Sequence, residues 1–208
     1  MVQNDVQTNA NPRGIRYHMV FPPAWREFGT SHEFEKALVT IATAEAKQVG
    51  RADIVLTLRQ NIHVMFEELR RTGSLSVVLP VKRLREGAIP ASLIVTPLKV
   101  GSTGTLAEAV SRVSGSNLVE AQPVDGTNWY LWHTDSRSDE AQDLRTLGIN
   151  MVVPRPRPDG TIDQDPKAGL WLRYSYLEIT GSTPEEMNEG LLQLGYAIIG
   201  SFKWVPVQ

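Results

Sequence analysis

The chain has 208 residues, 41% of them hydrophobic, enough for one large domain or two small ones around a real core. Its 21 Lys and Arg stand against 23 Asp and Glu, a net charge of -2, and this balance excludes the broad basic field of a phosphate-backbone binder. The absence of cysteine removes disulfides, thiolate catalysis and cysteine-ligated zinc.

Residues 1–13 are rich in Asn, Gln, Asp and Thr and read as a disordered tail. They hold no apolar stretch of the kind a signal peptide needs, and no later run reaches ~18 apolar residues, so the expectation is a soluble, cytoplasmic protein without a membrane span. GIRYHMVFPPAW (Gly14–Trp25) alternates and reads as a strand ended by Pro22 and Pro23. Thr30 and Glu33 have capping-box spacing and open a helix carrying Phe34, Leu38 and Ile41 on one face. After Gly50, the residues Val55, Leu58, Ile62, Met65 and Leu69 follow helical spacing up to Gly73. The two helices form an expected helical hairpin over 30–73, each with one apolar face to bury.

From Ser74 the period shortens. SLSVVLPVKRL and PASLIVTPLKV read as strands joined through Glu86-Gly87. Thr105 and Glu108 form a second capping box, for a short helix that turns Leu106, Ala109, Val110 and Val113 inward and ends at Gly115. NLVEAQPV and TNWYLWHT flank Asp125-Gly126, a hairpin signal. The polar connector SRSDEAQD leads to the strand LGINMVVPRP, and the loop RPRPDGTIDQDPKAG leads to GLWLRYSYLEIT, the longest strand expected. Thr183, Pro184 and Glu186 are three helix-start signals, with Met187, Leu191, Leu194 and Ile198 on the inner face of the helix that follows. SFKWVPV closes the chain as a short strand. The order predicts an α+β fold over 14–208 as a single domain. Its core is an antiparallel, twisted sheet of about six to seven strands covered by helices, an α/β/α sandwich with an N-terminal helical hairpin.

Specific chemistries find little support. His133, Asp135 and Ser136 are the residue types of a hydrolase triad. Strand alternation, however, puts Trp129, Leu131, His133 and Asp135 on one face and Tyr130, Trp132, Thr134 and Ser136 on the other, and no G-x-S-x-G elbow occurs. The histidines, at 18, 32, 63 and 133, have no metal-ligand spacing. Asp159, Asp163 and Asp165 lack the closing Glu of a calcium loop and read as a solvated acidic loop. Val100-Gly-Ser-Thr-Gly104 precedes a helix but matches no phosphate-binding motif. His63 lies beside the apolar helix face and reads as structural, and Arg70 and Arg71 suit a helix C-terminus. Arg155 and Arg157 alternate with prolines, in a segment that is either a stiff connector or a partner-recruiting extended loop.

Several short stretches, taken in order, resemble the PsbP/Mog-like α/β/α sandwich superfamily. They are the aromatic turn MVFPPAW (Met19–Trp25), SLIVTPL (Ser92–Leu98) followed by TLAEAVSRV, the hairpin VEAQPVDGTNWYLWH, and a final helix opening with TPEE and ending at GSFKW (Gly200–Trp204). The resemblance covers roughly residues 14–26 and 75–205; the segment 30–73 and the loop after Arg155 exceed the simplest members. It implies a binding or assembly factor, as in extrinsic photosystem subunits, LpqN-type lipoproteins and Eag-type secretion chaperones, with no shared catalytic residues. The missing lipobox cysteine favours the chaperone-like branch.

These readings converge on a non-enzymatic, protein-binding accessory factor, a chaperone or adaptor of an assembly or secretion system, with no cofactor, metal or nucleic acid. Trp129, Trp132, Trp171, Tyr174, Tyr176, Arg155 and Arg157 are the candidate partner-binding residues; most of the aromatics equally suit a core. Self-association is compatible with this reading. The alternatives are a structural subunit of a phage or secretion particle, and a hydrolase with a non-local site centred on His133.

Overall fold

A computed structural model describes residues 16–81, 89–101, 104–124, 126–137, 143–157, 160–161 and 163–205. The expected tail, the Glu86-Gly87 connection, Asp125, residues 138–142 of the polar connector and Asp159 lie outside the described residues. Among the described residues, four helices accompany a seven-stranded antiparallel sheet and a separate two-stranded sheet, an α+β architecture. The large sheet has the order β2 (Trp25–Gly29), β3 (Ser76–Pro80), β4 (Ala91–Lys99), β8 (Ala168–Ile179), β7 (Leu144–Pro154), β6 (Thr127–Arg137), β5 (Glu120–Val124). The small sheet pairs β1 (Arg16–His18) with β9 (Lys203–Val205). No helix among the described residues is long and apolar enough to cross a membrane.

The strand β2 is an addition to the sequence reading. WREFG is short and ends in glycine, so local alternation gives little signal; its pairing with β3, Phe28 opposite Val77, makes it a strand. At the other end of the sheet, β5 and β6 meet at Val124 and Thr127, and Gly126 in their turn has φ of 80°, the left-handed conformation that glycine adopts without steric cost.

The register fixes what each face presents. One row across the sheet reads Leu93, Tyr174, Ile149, His133; the next reads Ile94, Arg173, Asn150, Trp132 and points the opposite way. The first face is covered by α4 (Glu185–Gly200), whose Leu191, Ile198 and Ile199 join Leu93, Ile149, Leu172 and Tyr174 in one continuous core. Each such aliphatic side chain contributes ~1.5–3 kcal/mol on burial. The helix comes so close that a Cβ at Gly195 would stand 2.5 Å from the Tyr174 ring. The Tyr174 hydroxyl donates to the Leu191 carbonyl at 2.8 Å, and burial pushes its pKa well above the usual phenol value. The β1–β9 ribbon extends this cover, with Tyr17 stacked on Phe202 and Trp204 Nε1 donating to the Pro154 carbonyl.

Two separate groups of helices cover the second face. At one side α1 (His32–Gln48) and α2 (Ala52–Arg71), joined through Val49–Arg51, bury Leu38, Ile62, Phe66 and Leu69 on Phe28 and Val77. At the other, α3 (Leu106–Ser114) buries Leu106 and Val110 on Trp132 and Val152. The α3 capping box is complete: Thr105 Oγ1 accepts from the Glu108 amide, and Glu108 Oε2 accepts from the Thr105 amide. The two other helix starts differ from expectation. Ser31, not Thr30, caps α1, and it makes no side-chain cap bond. Pro184 caps α4 with ψ of 143°, while the Thr183 hydroxyl turns back to accept from the Ile179 amide and so closes the turn after β8.

The expected helical spacing of α1 and α2 is matched by an ionic knot between them. Glu35 on α1, with its side chain 13% exposed, accepts from His63 and Arg70 of α2 and from His32. Desolvation pushes the Glu35 carboxyl up, but the bonds from His63, Arg70 and His32 outweigh it and leave the pKa below the ordinary carboxylate value. His63 thus has the structural role its position suggests.

Candidate functional site

The α1–α2 pair lies against the sheet only at its base. Residues 47–54 at the tip are all exposed, and a gap between the helices and the sheet is lined by residues of both. The gap is a cleft of about 840 Å³. Its first wall is Leu38, Ile41, Ala42 and Glu45 of α1, spaced i, i+3, i+4 and i+7. Its second is Leu58, Asn61, Ile62 and Met65 of α2, with the same spacing. Leu79, Pro80 and Val81 close one side, and Ile89, Pro90 and Ala91 another. The floor is the end of the split sheet face: Ser92, Ser175, Leu177 and Thr146. An apolar cleft of this size with a few polar groups on its floor is the general form of a binding site.

Past Ser175 the floor continues into a polar strip between the two helical covers. Arg173 is the next residue of β8 on this face, ~6–7 Å further along by strand geometry. Its guanidinium lies 4.6 Å from the centre of the Trp171 ring. Trp171 Nε1 donates to Asn150 Oδ1 at 3.1 Å, and Asn150 Nδ2 donates to Thr134 Oγ1 at 3.2 Å. Asn150 is buried, and this chain satisfies its amide. Arg173 is different. Its Nε is buried with no acceptor among the described residues. Burial lowers its pKa, and Glu68 is the charge that opposes this. Glu68 itself is held by Arg71, at 2.6 and 2.7 Å.

The structure distributes the sequence-derived candidates over both faces. Trp129 is half-buried on the α4 face, edge-on to Phe202. Tyr174 and Tyr176 are buried on the same face with ring centres 6.0 Å apart. Trp132 is buried under α3 and meets the half-buried Trp171 at 5.8 Å on the split face. Arg155 is half-buried and its amide donates to the Ala168 carbonyl, while exposed Arg157 bonds Asp163 at 2.7 and 3.1 Å. Both arginines follow Pro154, at the far end of β7 from the cleft residue Thr146, roughly 27 Å away along the strand. Of the candidates, Tyr176 borders the cleft, and Trp171 supports Arg173 beyond it.

The alternation expected along NWYLWHTDS holds. Leu131 joins the core under α4, Trp132 the core under α3, so helices cover both faces here. His133 Nε2 lies 2.6 Å from the Tyr196 hydroxyl, and Asp135 is engaged by Arg145 at 2.6 Å. The Arg145 hydrogen bond holds the Asp135 carboxyl below its ordinary pKa. His133 and Asp135 therefore have separate partners, and Ser136 lies on the other face. Among the described residues, no three His, Asp or Glu side chains converge as metal ligands would.

Of the cleft residues, Leu38, Ile41, Leu58, Ile62 and Met65 are visible in the sequence as apolar helix positions with a face to bury, but nothing local marks them as the walls of a cleft. Arg173 carried a stronger signal. In LWLRYSYL, Leu170, Leu172, Tyr174 and Tyr176 form one uniformly apolar set, whereas Trp171, Arg173 and Ser175 form a mixed set. A cation amid a strand's buried rows marks a face that is not simply core. No protein-family model and no curated protein matches this chain.

Proposed function

We propose that the chain is a non-enzymatic accessory factor, a chaperone or adaptor of an assembly or secretion system, that holds an amphipathic helix of a protein partner in the cleft between α1–α2 and the sheet. The observation that carries this is the cleft itself: two helical walls, each presenting residues at i, i+3, i+4 and i+7 over two turns, facing a floor on which no catalytic groups converge among the described residues. Seven residues of helix span ~10 Å, so the walls match two turns of a third helix laid between them. The PsbP/Mog-like sandwich, with helices on both faces of the sheet and the hairpin 30–73 as an added arm, fits this role. A net charge of -2 favours a protein over a nucleic acid as partner, and the reading places the protein in the cytoplasm.

The test is site-specific photo-cross-linking in cells that make the full chain. A photoreactive residue at Leu58, inside the cleft, is compared with one at Glu189, exposed on α4. The expected result is one discrete protein adduct from position 58, none from 189, and loss of the adduct in Met65→Glu. Absence of an adduct at 58, or equal labelling at both positions, sinks the proposal.

A further inference from the structure

We infer that Arg173 is the specificity-determining group of this site: the partner helix carries an Asp or Glu side chain whose carboxylate binds the Arg173 guanidinium where the cleft floor becomes the polar strip. The inference rests on the reading of the cleft as a docking site and adds the chemistry of what docks.

Three observations converge on it. First, the cleft leads to Arg173. On β8 the face residues Leu177, Ser175 and Arg173 run inward in that order, and on α2 the stripe Asn61, Met65 and Glu68 runs beside them. The first two of each series line the cleft, and the third of each are the interacting pair Arg173 and Glu68. Second, the guanidinium is held in place without an anion. Trp171 supports its face, and Trp171 is itself fixed by the bond to Asn150 and the contact with Trp132. Among the described residues no carboxylate forms an ion pair with Arg173: Glu68 is bound in bidentate fashion by Arg71, and Arg173 Nε has no acceptor. Third, a partly buried cation in that state is costly, whereas a carboxylate delivered to it gains charge-assisted hydrogen bonds in a site already stripped of much of its water. The wall and the cation together require an apolar stripe ending in an acid. A fully apolar helix leaves Arg173 unpaired, and a basic one repels it.

The full chain is titrated calorimetrically with decanoate and with decanol, which share an apolar chain and differ in the carboxylate. Decanoate is expected to bind about ten-fold more tightly than decanol, the worth of a charge-assisted hydrogen bond. Arg173→Gln removes that difference and leaves decanol binding unchanged. In the cross-linking experiment Arg173→Gln reduces the Leu58 adduct about ten-fold, and Arg173→Lys restores part of it. The variant's melting temperature separates this role from a structural one: a guanidinium kept for packing on Trp171 predicts a lower value in Arg173→Gln, and one kept for a ligand predicts an unchanged or higher value. Equal binding of decanoate and decanol, or a full adduct yield in Arg173→Gln, overturns the inference while leaving the cleft reading intact. Failure of both ligands to bind together with no adduct overturns both. Decanoate binding that depends on Arg173, without a protein adduct, overturns the protein carboxylate in favour of a free amphiphile.

Discussion

The two faces of one sheet are closed by different means. Under α4 the rows from β4, β8, β7 and β6 merge into a single core, sealed by a helix close enough to need glycine at position 195. On the opposite face the sheet carries two separate cores, one on β2 and β3 under α1–α2 and one on β6 and β7 under α3, with Thr134, Asn150 and Arg173 between them. The continuous face holds the fold together. The divided face holds the apolar cleft and, among the described residues, a cation with no carboxylate in an ion pair with it. A sheet that must be stable and also receive something can separate the two tasks by face, because strand alternation lets neighbouring residues answer to different constraints.

The largest effect tests whether the two cores on the divided face are independent. Trp132 is 1% exposed and packs on Leu106, Val110, Val152 and Trp171. Trp132→Ala is expected to lower unfolding free energy by about 3–5 kcal/mol, measured by urea denaturation. Native-state hydrogen exchange should then show α3 amides losing more protection than those of Phe66 and Leu69 in α2. Equal loss in both helices would mean that the cores are one cooperative unit, and the contrast between the faces would fail.

A smaller effect is expected on the sealed face. An alanine Cβ at position 195 meets Tyr174 at 2.5 and 2.6 Å and Ile149 at 2.9 Å, whereas one at position 190 of the same helix meets nothing within 4 Å. Gly195→Ala should therefore destabilise by about 1–3 kcal/mol through overpacking, despite the better helix propensity of alanine. Gly190→Ala should stabilise by roughly 0.5–1 kcal/mol through propensity alone. Thermal unfolding of the two variants gives opposite shifts if α4 is as tightly seated as its contacts require; shifts of the same sign would show a looser helix.

Much of this division was legible in the sequence wherever the determinant was local. The Thr105–Glu108 box needs only residues three apart, and the start of α3 follows from it. The opposed sides of Leu131 and Trp132 follow from the two-residue period of a strand. Non-local determinants were not legible. Trp25–Gly29 becomes a strand because Ser76–Pro80 lies beside it, some fifty residues later in the chain. The cleft was hidden for a related reason. Leu58 and Met65 have the same helical spacing as buried Ile62 and Leu69, and which of them are buried depends on packing against Phe28 and Val77, strand residues that the helix sequence does not contain. Helix starts sit between these cases. Thr183 had the residue type of a cap, but its hydroxyl was claimed by the Ile179 amide once β8 ended in a turn there.

The smallest effect concerns what keeps the cleft wall in one piece. Glu35 ties α1 to α2 through His63 at 2.8 Å and Arg70 at 2.9 Å, near the base from which the helices leave the sheet. Its folded-state pKa is depressed, so its contribution is present above the unfolded carboxylate value of about 4.3 and fades as pH falls through the folded value. Glu35→Gln keeps the shape and removes the charge. At neutral pH the variant should melt below the parent chain, and the gap should narrow as pH drops below about 4.3, because the parent loses the same charge by protonation. Melting curves of both proteins from neutral to acid pH give the comparison directly. A gap independent of pH would assign the loss to the altered side chain rather than to its charge. A gap that widens in acid would place the stabilising charge elsewhere on the α1–α2 pair.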